Sequence, residues 1–310
     1  MTHAPAEVVA LADERVQARA EKDWATSDAL RDRIAALGWV VADGPDGYSL
    51  TPRPPFEVVN RLDELPSTAA GARCAALVLV DGWPDDVRRC LESLAQNVPG
   101  DTVIVALDLG NVDGSGEVLH ECAERHVGRV LGLHAPQTLG AAGWSAAVTA
   151  LLRCVQSEFV AIMDLSTVFD GDALTPLLDA LNDPAVVAAG WRGVDVDLDD
   201  NWRSFVDAPP GDADALLGYL MVVRRDIALA TPPHPKARFY RNADMEWCLA
   251  LREATGGRMV APSADLPVHQ ERHRGYHDSD AEYRDKESRK TYDRLLTRFR
   301  GRPGVLRPRA

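Results

Sequence analysis

At 310 residues the chain has length for one large domain or two smaller ones with a proper core. A hydrophobic fraction of 46% is that of an ordinary globular protein, and a net charge of −13 excludes general attraction of the whole surface to nucleic acid. Cys74, Cys90, Cys122, Cys154 and Cys248 are odd in number and in no paired spacing, which excludes a disulfide frame or zinc knuckle and leaves buried thiols.

No signal peptide is recognisable and no apolar run approaches the roughly 18 residues of a membrane span, so the expected compartment is the cytoplasm. Residues 6–37 are helical in pattern, rich in Ala, Glu, Arg and Leu. Helix starts are marked at Ala12-Asp-Glu and Ser27-Asp28, with a break at 23–26. Gly38 ends the second helix, Trp39-Val-Val forms a short strand, and Asp43-Gly-Pro-Asp-Gly47 turns the chain into Tyr48-Ser-Leu. This helical hairpin with a small β-hairpin is too little to bury a large core by itself. Residues 51–70 carry Pro52, Pro54, Pro55 and Pro66 and read as a linker that packs locally.

From Cys74 the pattern changes. Strands are predicted at 75–80, 102–107, 128–133 and 159–163, with amphipathic helices at 84–96, 117–126 and 144–156 between them. Such alternation predicts a mostly parallel sheet with right-handed crossovers. No Gly-x-Gly-x-x-Gly and no P-loop occurs, which argues against a dinucleotide dehydrogenase or an NTPase.

The most informative stretch is Phe159-Val-Ala-Ile-Met-Asp164-Leu-Ser166-Thr-Val-Phe169. An apolar run enters a carboxylate at the strand's carboxyl end, where ligands of open α/β sheets bind. A carboxylate there needs a cation, a donor or water beside it. Asp164 is therefore a metal or substrate ligand, or else the cap of the next turn. Further on, 195–200 is an acidic run readable as a mobile acceptor loop or as solvated chain. Between Arg284 and Arg309 ten Lys/Arg face three acids, a solvated helix face or a contact for an anionic membrane or RNA.

Two resemblances organise these features. Arg15, Arg19, Lys22-Asp-Trp, Asp28-Ala-Leu-Arg31 and Gly38-Trp-Val-Val-Ala-Asp43-Gly-Pro-Asp-Gly47 resemble the C-terminal module of cysteinyl-tRNA synthetases. That implies a tRNA-facing role for Arg15, Arg19, Lys22 and Arg31, or a reused packing or dimerisation module without RNA. Leu77-Val-Leu-Val80-Asp81, Val105-Ala-Leu-Asp108, Leu139-Gly140-Ala-Ala-Gly143, Met163-Asp164-Leu-Ser166 and Ala243-Asp244-Met-Glu246-Trp247 resemble, in order and spacing, family 2 glycosyltransferases of the GT-A fold.

The fold this implies is α/β, a GT-A type mostly parallel sheet with helices on both faces. The implied division is a synthetase-like module at 1–52, a linker at 53–70, the GT-A domain at 71–283 and a basic helix and tail at 284–310. The resemblance implies an inverting transferase, a hexosyltransferase, that uses a nucleotide-diphospho-sugar. It places Val80, Asp81, Asp108, Gly140, Gly143 and Asp164 on the donor, Gly218, Tyr219 and Trp247 on the acceptor side, and Asp244 as the base. It implies Mn or Mg held by Asp164, Ser166 and His269, since oxygen ligands suit either ion and an imidazole favours Mn. Asp244, at a helix N-terminus, is expected to stay ionised. The implied acceptor is a glycan, a lipid-linked compound or a small molecule, reached from the cytoplasm or from the inner face of a membrane touched by the basic tail.

Two departures stand out: Ser166 replaces the second Asp of the metal motif, and Ala243 replaces the acid before Asp244. They motivate the rival reading, a catalytically degenerate nucleotide-sugar-binding or tRNA-associated protein on the same fold.

Overall fold

Residues 3–44, 47–140 and 142–309 are described by the computed structural model, in which the chain divides into two units, Met1–Glu57 and Val58–Ala310. In the first, α1 (Ala6–Ala20) and α2 (Trp24–Ala36) form the hairpin, followed by the antiparallel strands β1 (Trp39–Gly44) and β2 (Gly47–Pro52). The helices start earlier than Ala12 and Ser27. Asp23 caps α2, its Oδ1 accepting from Thr26 N at 3.1 Å and its Oδ2 from Thr26 Oγ1 at 2.7 Å. Val8, Leu11, Leu30, Ile34, Trp39 and Val41 make this unit's core. Arg15, expected to face RNA, is only 4% exposed and grips Asp43 with two bonds of 2.7 and 3.1 Å. Arg19 reaches the same carboxylate at 3.4 Å. That arginine face holds the hairpin to the helices.

In the second unit β3 (Cys74–Val80), α3 (Pro84–Asn97), β4 (Thr102–Leu109), α4 (Ser115–Arg125) and β5 (Val130–Ala135) run outward along a sheet. The chain then returns through α5 (Gln137–Gly140) and α6 (Trp144–Cys154) to β6 (Phe159–Met163), parallel to β3 on its other side. This reversal of strand order opens a crevice beyond the carboxyl ends of β3 and β6. Side chains alternate across the sheet: Ala75, Leu77, Val160 and Ile162 enter one core with α6, while Cys74, Ala76, Val78, Phe159 and Ala161 enter the other with α3. Each fully buried Leu or Ile in these layers stabilises the fold by about 1.5–3 kcal/mol. All five cysteines are buried free thiols.

The remainder completes the sheet and walls the crevice. It comprises β7 (Thr167–Phe169), α7 (Leu174–Ala180), β8 (Val186–Gly190), β9 (Gly193–Val196), β10 (Phe205–Asp207), β11 (Gly211–Ala213), β12 (Ala215–Leu216), β13 (Leu220–Arg224) and α8 (Arg225–Ala230). It ends with α9 (Ala243–Thr255), β14 (Arg258–Ala261), β15 (Val268–Gln270), α10 (Arg274–His277) and α11 (Ala281–Phe299). The eight-stranded sheet has the order β11-β14-β8-β13-β6-β3-β4-β5, with β13 antiparallel to both neighbours and β14 covered by β11. From the linker region, Val59 N donates to His134 O and Thr68 N to Cys154 O, and Leu62 and Leu65 pack on the α6 side of the sheet.

The basic helix is solvated along one face, with Lys286, Arg289, Lys290, Arg298 and Arg300 exposed, and packed along the other. Leu295 and Phe299 are fully buried, Arg294 holds Glu246, and Arg298 reaches Glu253. Past the helix, Arg307 holds Asp195 at 2.7 Å, and Arg309 bonds Asp214 and lies 3.2 Å from Asp195. The acidic run therefore begins with a buried anchor, Asp195 at 4% exposure. It continues as a turn in which Asp197 Oδ1 accepts from the N–H groups of Asp199 and Asp200.

Candidate active site

Beyond the tips of β3 and β6 lies a cleft of about 1610 Å³, lined among others by Asp81, Gly143, Asp164, Ser166, Gly218, Tyr219, Asp244 and His273. That volume admits a nucleotide sugar with an acceptor beside it. Asp164 leaves β6 in a tight turn, Oδ1 accepting from Ser166 N at 2.8 Å and from the Ser166 hydroxyl. Its other oxygen, Oδ2, lies 2.9 Å from His273 Nε2. Enclosure pulls the Asp164 pKa up, but the His273 imidazole and the Ser166 donors outweigh it and hold the carboxyl below its ordinary value.

His273 is 8% exposed, stacked on Tyr240 at 4.8 Å between ring centres and met edge-on by Tyr219 at 5.7 Å. Its Nε2 is buried and makes no well-aligned hydrogen bond, despite its closeness to Asp164. A buried imidazole nitrogen 2.9 Å from a carboxylate oxygen, poorly aligned for a hydrogen bond, fits a divalent cation that takes nitrogen and oxygen donors. Among the described residues no group of three His, Cys, Asp or Glu gathers that could hold a metal ion by itself.

Asp81, just past β3, presents its carboxylate to the cleft. Enclosure by the walls, with the charge of Asp164, raises its pKa to about 6. Asp244, in the first turn of α9, has Oδ2 accepting from Gly218 N and Oδ1 from Met245 N, both at 2.8 Å. Gly218 lies close enough that a Cβ on it would approach Asp244 Cβ to 3.3 Å, a tight contact. Loss of water raises the Asp244 pKa even against these two donors, so the helix end does not set its ionisation alone. The Tyr240 phenol is pushed up by burial and by Asp164, Tyr219, Asp81 and Asp244, which keeps a neutral hydroxyl among the acids.

The sequence also named residues that lie elsewhere. Asp108 is 1% exposed and absent from the cleft lining: Oδ1 accepts from Asn111 N at 2.8 Å and Oδ2 lies 3.1 Å from His134 Nδ1. It builds the turn whose Val112 lines the cleft. Val80, its parallel partner, is fully buried. His269 is absent from the cleft lining, which His273 joins. On β15, paired with β7, it points away at Asp170, Nδ1 to Oδ2 2.6 Å, and that bond raises its pKa. Ser166 is 2% exposed and its hydroxyl is engaged twice, donating to Asp164 and accepting from Gln270 Nε2 at 3.2 Å, so it supports the ligand Asp164.

Trp247 is 1% exposed and donates to Thr231 O at 2.6 Å, so it packs beneath α9 instead of walling the acceptor side. Gly143 does line the cleft, and a Cβ on it would strike Arg238 Cα at 2.6 Å. The first N–H groups of α6, Trp144 N and Ser145 N, donate to Arg238 O and Ala237 O, so they are already taken. Gly140 closes the one-turn α5, and Ala141 of the same predicted turn lies outside the described residues. His273, Tyr240 and the α11 residues Ser288, Arg289 and Tyr292 line the cleft without having been singled out in the sequence. A second histidine four residues after His269 was the available signal.

Residues 82–233 match the family model described as glycosyl transferase family 2, and residues 1–48 match the cysteinyl-tRNA ligase anticodon binding domain. Curated relatives of the first 48 residues include the cysteine–tRNA ligases of Opitutus terrae, 60% identical over 48 residues, and of an Arthrobacter species, 71% over 35. These cover 16% and 11% of this chain, and the chain spans a tenth or less of those relatives, 10% and 7%.

Among solved structures, the mannosyltransferase PcManGT from Pyrobaculum calidifontis with GDP-Man and Mn2+ has a TM-score of 0.57 at 17% identity, covering 81% of this chain and 70% of its own. GalNAc-T7 with UDP, GalNAc and Mn2+ scores 0.59 at 14%, covering 74% and 48%. Glucosyl-3-phosphoglycerate synthase from Mycobacterium tuberculosis with phosphoglyceric acid scores 0.51 at 14%, covering 79% and 85%. At these identities the likeness is one of fold, and that fold is GT-A.

Proposed function

We propose, from the premise that residues 82–233 form a family 2 glycosyltransferase domain, that the protein moves a hexosyl group from a nucleoside-diphosphate sugar to an acceptor hydroxyl with inversion. The observation that carries this reading is the meeting of Asp164, His273 and Asp244 in one cleft at the strand-order reversal. Two of the structural neighbours were solved with Mn2+ and a nucleotide or nucleotide sugar, which supports a divalent ion here. Bound to Asp164 and His273, the ion would supply Lewis-acid stabilisation of the charge that grows on the departing diphosphate.

The chain's own residues do the rest. Ser166 and Gln270 fix the direction of Asp164, and the Tyr240 ring fixes that of His273. Asp244 keeps lone pairs free beyond those given to Gly218 N and Met245 N, and its raised pKa suits it to accept the acceptor's proton. The acceptor oxygen then forms its bond to the anomeric carbon. The bond from that carbon to the diphosphate oxygen breaks, and its electron pair leaves with the nucleoside diphosphate. One base facing the anomeric carbon from the side opposite the leaving group inverts its configuration.

Asp244→Asn tests the assignment. Transfer is expected to fall about 100- to 10,000-fold, the range of general-base contributions. The affinity for UDP or GDP with Mn2+, measured by calorimetry, should stay within about threefold, since the amide is isosteric and lies off the ion. An Asn variant that transfers at the full rate removes Asp244 from the chemistry. Nucleotide binding without turnover by the unaltered chain favours the degenerate binding protein, which the serine at 166 also favours.

A further inference from the structure

The cleft is lined by six arginines, Arg203, Arg238, Arg241, Arg272, Arg274 and Arg289, and by no lysine. Eight carboxylates line it too, so the partners of each arginine decide what it can hold. Arg272 is held by Asp278, and Arg274 lies 3.6 Å from Asp86. Arg203, Arg241 and Arg289 differ: among the described residues none has a carboxylate in ion-pair contact. Arg241 and Arg289 act with Arg284 on a single carboxylate, Asp285, and Arg284 is the one in contact with it, at 2.8 Å.

These three arginines share a wall. Asn242 Nδ2 donates to Ser288 O at 3.1 Å, which sets Arg241 against the start of α11 beside Arg289. Tyr292 Oη donates to Trp202 O, which sets Arg203 against the same helix about 4.5 Å of rise further along. Arg241 donates to the Tyr276 hydroxyl and lies 4.7 Å over its ring, and Arg284 lies over that ring at 4.7 Å as well, so one electron-rich ring holds two like charges. Asp244 follows Asn242 by two residues in the first turn of α9, on this side of the cleft.

Guanidiniums with no carboxylate in contact keep donors free for an anion, and the planar fork of arginine matches the oxygens of a carboxylate or phosphate. The diphosphate of the donor already has a place at Asp164 and His273. We infer that the acceptor is a small hydroxyl compound bearing a carboxylate or a phosphate, whose anionic group meets Arg203, Arg241 and Arg289 while its hydroxyl reaches Asp244. This rests on the transferase reading and narrows its substrate class to anionic acceptors.

The test uses the full chain and its Arg203→Gln, Arg289→Gln and doubly substituted variants, all on exposed side chains, with folding checked by circular dichroism. UDP and GDP are titrated calorimetrically with Mn2+. The nucleotide-saturated protein is then titrated with 3-phosphoglycerate, glycerol 3-phosphate, D-glycerate, inorganic phosphate and glycerol. An anionic probe should bind and glycerol should not. Each single substitution should weaken the bound probe about tenfold, the loss of one charge-assisted bond. Nucleotide affinity should change less than about twofold. The phosphate-bearing and carboxylate-only probes separate the two anion chemistries. If nucleotide and probe weaken together, the arginines serve the diphosphate and the inference fails. If nucleotide binds normally and no anionic probe does, the anionic acceptor is wrong while sugar transfer stands. Failure of all nucleotide binding strikes the transferase reading itself.

Discussion

Asp195 and Asp214 at one place in the second unit, and Asp164 and Asp244 at another, are acids shielded from water and given different company. The first two meet Arg307 and Arg309 from the end of the chain and also take backbone donors: Asp214 N donates to Asp195 Oδ1 and Val196 N to Asp214 Oδ2. The other two have no arginine in contact. Asp164 has a histidine and a serine, and Asp244 has two backbone amides. Where guanidiniums fill the lone pairs, a carboxylate can only hold structure. Where weaker partners leave lone pairs facing an open cleft, it remains available to an ion or a proton.

The sharpest way to break this comparison is to remove the cations from the first group. Ending the chain after Leu306 leaves Asp195 and Asp214, 4% and 0% exposed, without their arginines. Stability to urea should fall by about 3 kcal/mol, the low end for breaking a buried pair, since Arg307 and Arg309 are themselves partly exposed. Adding Asp195→Asn and Asp214→Asn to the shortened chain should restore part of the loss. An unchanged midpoint would mean that the two groups of acids do not differ in the way argued.

How much of this was legible in the sequence follows from the range of the interactions. The strands β3 to β6 and their helices were readable because local apolar periodicity and glycine breaks encode them. Asp164 and Asp244 were readable because each stands at the end of a strand or the start of a helix. Asp108 stands in the same local setting as Asp164, yet it is closed off by Asn111 and His134, and the latter is 26 residues away. Likewise His269 and His273 are alike by neighbours. Only the pairing of β15 with β7, about a hundred residues apart, turns the first to Asp170 and leaves the second for Asp164. The charge of the tail was visible, but its partners Asp195, Asp214, Glu246 and Glu253 were not, because they come from distant segments.

A smaller effect comes from pH, and its sign divides each group: Asp195 and Asp164 are held low by their partners, whereas burial raises Asp214 and Asp244. Burial works to raise Asp195, but Arg307 and the Asp214 amide overcome it and hold its pKa below the ordinary value. Its stabilising contribution is thus complete above the unfolded carboxylate value and is lost as pH falls through the lower folded value, below about pH 4. Asp81, raised to about 6 by enclosure and by Asp164, opposes folding while ionised, as does Asp244, raised by enclosure. That opposition fades as pH drops from about 7 toward the unfolded value near 4. Urea unfolding of metal-free protein should therefore show stability rising slightly from about pH 7 to 5 and falling below about 4. Asp81→Asn should flatten the first limb and Arg307→Met should weaken the second; a single monotonic limb in the parent chain would contradict the assignment.

The mildest change concerns Ser166. If its hydroxyl were a metal ligand in its own right, Ser166→Ala would remove a donor from the ion and substitution by Asp would strengthen the site. In the geometry found here the hydroxyl donates to Asp164 and receives Gln270, so its loss frees Asp164 to rotate without emptying a coordination position. One hydrogen bond to a charged group contributes about 1.5 kcal/mol, so Mn2+ affinity, read by paramagnetic resonance of the free ion, should weaken about tenfold. Asp at 166 would place a second carboxylate where Asp164 Oδ1 now accepts, and without Mn2+ their repulsion should lower the melting temperature. With Mn2+ added the Asp variant should regain that loss, whereas the Ala variant should not respond beyond the parent chain. Equal Mn2+ affinity in the parent and Ala chains would show that Asp164 holds its position without help, and the positioning role would then pass to His273 and Tyr240.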